Sequence, residues 1–161
     1  MATQSYAATP GVSATPAVPH APVVTPTSAL GGRSGDLALL ALRLIAGLMF
    51  AQHGAQKLLG WFADPSRAGG GGPAAGSLPW IAGVLELVGG PLIALGLFTR
   101  PVAFLLSGLM AVAYFTAHAP RGFWPIVNKG ELGALYCFVF LLLAAVGAGA
   151  YSLDAQRRRR R

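Results

Sequence analysis

Five ionisable side chains stand inside stretches that are otherwise apolar: His53, Lys57, Glu86, His118 and Glu131. A charge in hydrocarbon costs about 3 kcal/mol or more, so such groups face a bundle interior, find partners, and mark relays or binding sites. Imidazole, ammonium and carboxylate groups held together can bind carbonyl oxygens and pass protons near neutral pH. Tyr114, Trp124 and Asn128 stand close to the same level and add aromatic faces and an amide. The set suits something small and amphipathic. The plainer reading is that His53, Lys57 and His118 lie near helix ends and are solvated at the membrane interface. Arg43 stands apart, where it either clamps two helices together with Glu86 or contributes to the same site.

Other chemistries find less support. His53 and His118 are too few to argue for haem. No HxxxH or carboxylate–histidine pair at helical spacing marks a metal site. Cys137 is the sole cysteine, so no intramolecular disulfide or CxxC cycle is available.

These residues need elements to hold them. Of the 161 residues, 54% are hydrophobic and 11% charged, well under the roughly 25% charge of soluble domains. Residues 1–35 form a Pro/Ala/Thr-rich segment with prolines at 10, 16, 19, 22 and 26, which predicts a disordered tail. No charged n-region precedes an apolar run there, so it does not read as a secretory signal. The membrane domain is expected over 36–154, with helices at Leu37–Leu59, Pro79–Phe98, Pro101–His118 and Gly130–Tyr151. Asp36 is expected to cap the first helix, and residues 60–78 read as a glycine- and proline-rich loop. The fold class is therefore all-α, a bundle of four membrane-spanning helices surrounded by lipid.

Arg43, Gly47, Phe50, Gly54 and Lys57 fall on one stripe of the first helix, with His53 at its edge. Glu86 shares a stripe of the second with Gly83, Gly90 and Leu97. Small residues there allow close backbone approach. At the α-helical rise, His53 and Lys57 lie roughly 24 and 30 Å from one surface, with Glu86 at about 18 Å. His118 and Glu131 lie at about 25 to 30 Å, and Arg43 at about 9 Å. The five ionisable groups are thus expected to share one chamber.

Net charge is +7, of which five charges belong to the run Arg157–Arg161. A basic tail (155–161) beside a hydrophobic segment sets topology or touches anionic lipid, and gives no argument for nucleic acid. Arg33, Arg100 and the terminal arginines share one side, against Arg67, Arg121 and Lys129 on the other. That asymmetry predicts both termini in the cytoplasm.

From Leu39 to Asp154 the sequence resembles the DoxX family of small four-helix membrane proteins. The likeness rests on Leu42-Arg43-Leu44 with His53-Gly54-Ala-Gln56-Lys57-Leu58, then Glu86-Leu-Val-Gly89-Gly90 leading to Gly96-Leu97-Phe98-Thr99-Arg100-Pro101. It continues through Tyr114-Phe-Thr-Ala-His118-Ala-Pro120-Arg-Gly122-Phe-Trp124-Pro125, Asn128-Lys129-Gly130-Glu131-Leu132, Tyr136-Cys137-Phe138 and Ser152-Leu153-Asp154. Leu109 and Leu142 depart from it, standing where similar sequences often carry a polar residue and a tyrosine. The resemblance implies a multi-pass protein of the bacterial inner membrane. It also implies a redox-linked role, since some relatives are membrane subunits of thiosulfate:quinone oxidoreductases. Others join membrane complexes with soluble redox proteins.

Three functions follow. A redox subunit would bind a quinone through His53, Lys57 or His118, with Glu86 or Glu131 relaying protons and electrons arriving from a partner protein. An anchor or assembly factor would use the polar network to stiffen the bundle. A small carrier would require a homo-oligomer, because one four-helix protomer is thin for transport.

Overall fold

A computed structural model describes residues 30, 32–62 and 72–161, which are helices, turns and short connections with no strand. Of the expected tail, residues 1–29 and 31 lie outside the described residues, as does the centre of the glycine-rich loop with Asp64 and Arg67; its end, 33–35, is not a tail but the first turn of a helix. Helix α1 runs Arg33–Leu59, α2 Leu78–Leu95 and α3 Thr99–Ala113. A π-helical turn, Tyr114–His118, and a 3-10 turn, Ala119–Arg121, prolong α3. The short α4 (Pro125–Asn128), α5 (Glu131–Val146) and α6 (Leu153–Arg159) complete the chain.

The burial pattern is the reverse of a water-soluble bundle. Arg43, Glu86, Asn128 and Thr99 are fully buried, while Ile45, Leu48, Phe104, Phe115, Leu135 and Phe138 point outward. A surface of large apolar side chains is stable against lipid and not against water. Three helices are long and apolar enough to cross a membrane (α1, α2, and α3 with its two terminal turns), and α5 is a shorter apolar helix beside them.

Two kinds of contact set the spacing. Helices α1 and α2 pack extensively as an antiparallel pair, as do α3 and α5, with α2 touching α3. Between α1 and α2 the backbones nearly touch: a Cβ on Gly47 would lie 2.5 Å from the Gly90 carbonyl oxygen, and one on Gly54 2.7 Å from that of Gly83. Between α1 and α5 aromatic rings fill the space instead. Phe50 lies 5.2 Å from Tyr136 and 4.8 Å from Phe140, centroid to centroid.

Several expected boundaries are corrected. Asp36 is not the cap of α1, which begins at Arg33; its carboxylate accepts the Ala150 N–H at 3.0 Å. Helix α2 starts one residue early, capped by the Ser77 hydroxyl, and ends at Leu95 because Gly96 turns left-handed. Pro91 stays within it, on the outward side. The fourth helix stops at Val146, well before Tyr151. Gly147 and Gly149 both take positive φ there (87° and 73°), and the chain turns under the bundle. That crossing lets Asp36 and Arg43 reach the backbone of residues 150 and 151.

Candidate functional site: a buried ion pair in the bundle

Lys57 and Glu86 form an ion pair at 2.5 Å across the α1–α2 seam. Their expected depths differ by two turns, and helix geometry removes the discrepancy. Side chains lean toward their own helix's N-terminus. The Lys57 Cβ lies beside Gly83, so its ammonium reaches down past the next turn of α2 to Glu86. The glycine seam is what brings the two backbones close enough. Glu86 is 2% exposed, and its second oxygen, Oε2, is buried without a hydrogen bond. The Lys57 side chain remains 37% exposed, so the pair opens outward at the ammonium.

Two further groups border the pair. Tyr136 of α5, 6% exposed, packs on Phe50, which shares the stripe of Lys57 on α1, at 5.2 Å between centroids. The His53 imidazole meets the Tyr136 ring edge-on at 6.3 Å. Lys57, Glu86, Tyr136 and His53 therefore make one cluster, drawn from α1, α2 and α5. Tyr136 carries no charge and sits in an apolar run, so sequence reasoning passed it over. Its spacing from Phe140 and Leu143, one helical face, was the available signal.

The other candidates are elsewhere. His118 donates no bond to the ion pair; its Nδ1 faces the Asn128 carbonyl at 3.1 Å, which makes Nδ1 the protonated nitrogen. Its ring stacks on Tyr114. Asn128, 1% exposed, donates to the Gly122 carbonyl at 2.8 Å and the Tyr114 hydroxyl at 3.4 Å, and accepts from the Gly130 amide at 2.8 Å. Trp124 is exposed and packs against Phe123. Glu131 is exposed and lines a wide surface groove with Lys129, Ile126, Leu132 and Leu135. Among the described residues no hydrogen bond or ring contact joins these groups to the ion pair. The single chamber is thus two clusters with Glu131 outside both, because the 119–130 segment folds on itself through Asn128.

Arg43 neither pairs with Glu86 nor snorkels to the surface. It is fully buried, and its guanidinium donates to the Tyr151 carbonyl at 2.6 Å and to the Ala94 and Ile93 carbonyls at 3.3 and 3.4 Å. Those last two belong to the final turn of α2, where the Ile93 carbonyl also accepts the Gly96 N–H at 3.0 Å. Gly96 has no Cβ that would collide with the guanidinium.

Fold and site together define a small multi-pass α-helical membrane protein with an ion pair between its helices, buried at Glu86 and open at Lys57. The chain belongs to the DoxX family, whose model, described as DoxX, matches residues 38–119. It is 46% identical over 119 residues to an uncharacterized protein of Haemophilus influenzae, covering 72% of this chain and 87% of the relative. An uncharacterized membrane protein of Mycobacterium tuberculosis, Rv3486, is 31% identical over 144 residues, with 78% and 85% covered. A Bacillus subtilis protein with the provisional name oxidoreductase CatD is 28% identical over 122 residues, with 76% and 88% covered. No solved structure matches at a significant level.

Proposed function

We propose that this protein is the membrane subunit of a redox system, and that Lys57, Glu86, Tyr136 and His53 receive a small amphipathic carbonyl compound of the quinone type. The observation that carries the reading is the Glu86 carboxylate, buried to 2% exposure with one oxygen on Lys57 and the other without a hydrogen bond. A buried oxygen left without a donor costs free energy that a donor group on a bound ligand would recover. Lys57 is the half-exposed mouth of the cluster and would donate to a carbonyl oxygen of the ligand. Glu86 and Tyr136 would pass the protons that reduction of such a compound takes up. Electrons would come from a partner protein. The provisional name of the Bacillus subtilis relative supports a redox role.

The test is organic extraction and absorbance of the purified protein, alongside rescue of a deletion strain. Bound quinone should fall at least tenfold in Glu86→Gln and Tyr136→Phe while the purified bundle keeps its helicity. Full rescue by both variants would remove the catalytic reading. A second reading, a non-catalytic anchor, is favoured by Arg43 and Asn128, whose polar bonds go to the backbone of neighbouring segments. It expects Arg43→Leu to abolish function and Glu86→Gln to leave it intact. For localisation we propose the bacterial inner membrane with both termini in the cytoplasm, on the asymmetry of basic residues. Reporter fusions after residue 161 and within 63–71 should report opposite sides.

A further inference from the structure

The arginines at the chain's end are not a loose run. Helix α6 is capped by Ser152, whose hydroxyl accepts the Ala155 N–H. Asp154 pins it to the α2–α3 turn by accepting the Phe98 and Thr99 amides, both at 2.9 Å. Helical steps of 100° put Asp154, Arg157 and Arg158 on the face toward that turn and Arg159 away from it; past the end of the helix, Arg161 lines the same cleft and Arg160 does not. The Arg157 guanidinium lies over the Phe98 ring at 4.7 Å. Two adjoining clefts of about 200 Å³ each result. Arg157, Arg158 and Arg161 line one; Arg100 and Arg158 line the other, with Phe98 and Asp154 common to both.

Charge and position say what fits. Four guanidiniums surround a single carboxylate whose oxygens already accept two amides. Guanidinium forks match phosphate oxygens bidentately. The second cleft lies between the start of α3 and the end of α5, with Pro101, Gly147 and Ala148 in its wall. Immediately beyond it the outward side chains are Phe104, Leu105, Leu141 and Leu142, which face the bilayer. A phosphate held by Arg100 and Arg158 therefore sits at the hydrocarbon boundary, with an apolar wall for whatever hangs below it.

We propose that the clefts between α6 and the α2–α3 turn form a binding site for the phosphodiester headgroup of an anionic phospholipid, held by Arg100 and Arg158 with Arg157 and Arg161 at its rim. Diffuse attraction between a basic tail and an anionic surface would count arginines without regard to position; the fold distinguishes them. The experiment is native mass spectrometry of the full-length protein in detergent with added phosphatidylglycerol, phosphatidylcholine or inorganic phosphate. Phosphatidylglycerol should be retained and phosphatidylcholine not. R100Q/R158Q should weaken retention at least tenfold, and R159Q/R160Q, which removes the same charge, less than twofold. Equal losses in the two double variants would overturn the site, as would no loss in either. Displacement of the lipid by millimolar inorganic phosphate would assign the clefts to a soluble anion and overturn the lipid reading. All four residues are exposed; Arg100 also donates to the Val146 carbonyl at 3.5 Å, so the helicity and melting midpoint of both double variants are compared with the unaltered protein.

Discussion

Arg43 and Lys57 share one stripe of α1, and their partners differ in kind. Arg43 is spent on three backbone carbonyls, at the end of α2 and at Tyr151, so its charge is dispersed over the backbone and its role is architectural. Arg43→Leu would strip donors from carbonyls at the bundle's end and should destabilise by about 3 kcal/mol, read as a lower midpoint in detergent unfolding. Lys57 instead meets a carboxylate and stays half open to the outside. Asp154 makes a further point about residues. Burial by itself would raise its pKa, but the Thr99 and Phe98 amides and the Arg158 charge outweigh that, so the carboxyl titrates below its ordinary value. The Thr99 hydroxyl lies beside it without a hydrogen bond of good geometry. A carboxylate with a depressed folded value adds stability above its unfolded pKa and loses it as pH falls through the folded one. Acidification into that low range should release α6, seen as protease cleavage in the arginine run. In Asp154→Asn that pH step should vanish.

Helix pairs show how spacing is written in side-chain size. Glycines 47, 54, 83 and 90 bring α1 and α2 together, whereas Phe50, Tyr136 and Phe140 hold α1 and α5 apart by the width of a ring. Gly90→Leu would force the seam open and should cost about 2 kcal/mol, separating Lys57 from Glu86 as well. Gly108→Ala is the matched control, since nothing lies within 4 Å of a Cβ there. Differential scanning of the two purified variants distinguishes them. The π-helical turn at Tyr114–His118 illustrates what periodicity conceals. An extra residue in that turn rotates His118 toward Asn128, and a 3.6-residue count through the segment points elsewhere. The stripes of α1 and α2 were legible because both helices are regular over their polar residues; the outer loop was not.

For the whole molecule, the prolines at 10, 16, 19, 22 and 26 deny residues 1–29 a helix, so we propose that this segment is dispensable for folding. Its deletion should leave the melting temperature within about 2 °C of the full chain, since a proline-rich segment of low hydrophobic content adds little buried surface. Composition, charge placement and apolar periodicity by themselves determined an all-α membrane bundle and the buried stripe of α1, and motif resemblance pointed to the family, because each is read from consecutive residues. Which polar groups meet was decided only by the tertiary structure. Glu86 reaches Lys57 but not Arg43, and Asp154 caps a helix that begins 55 positions away. Those meetings depend on where glycines let backbones close and where two left-handed glycines turn α5 under the bundle, and distance along the chain carries no record of either.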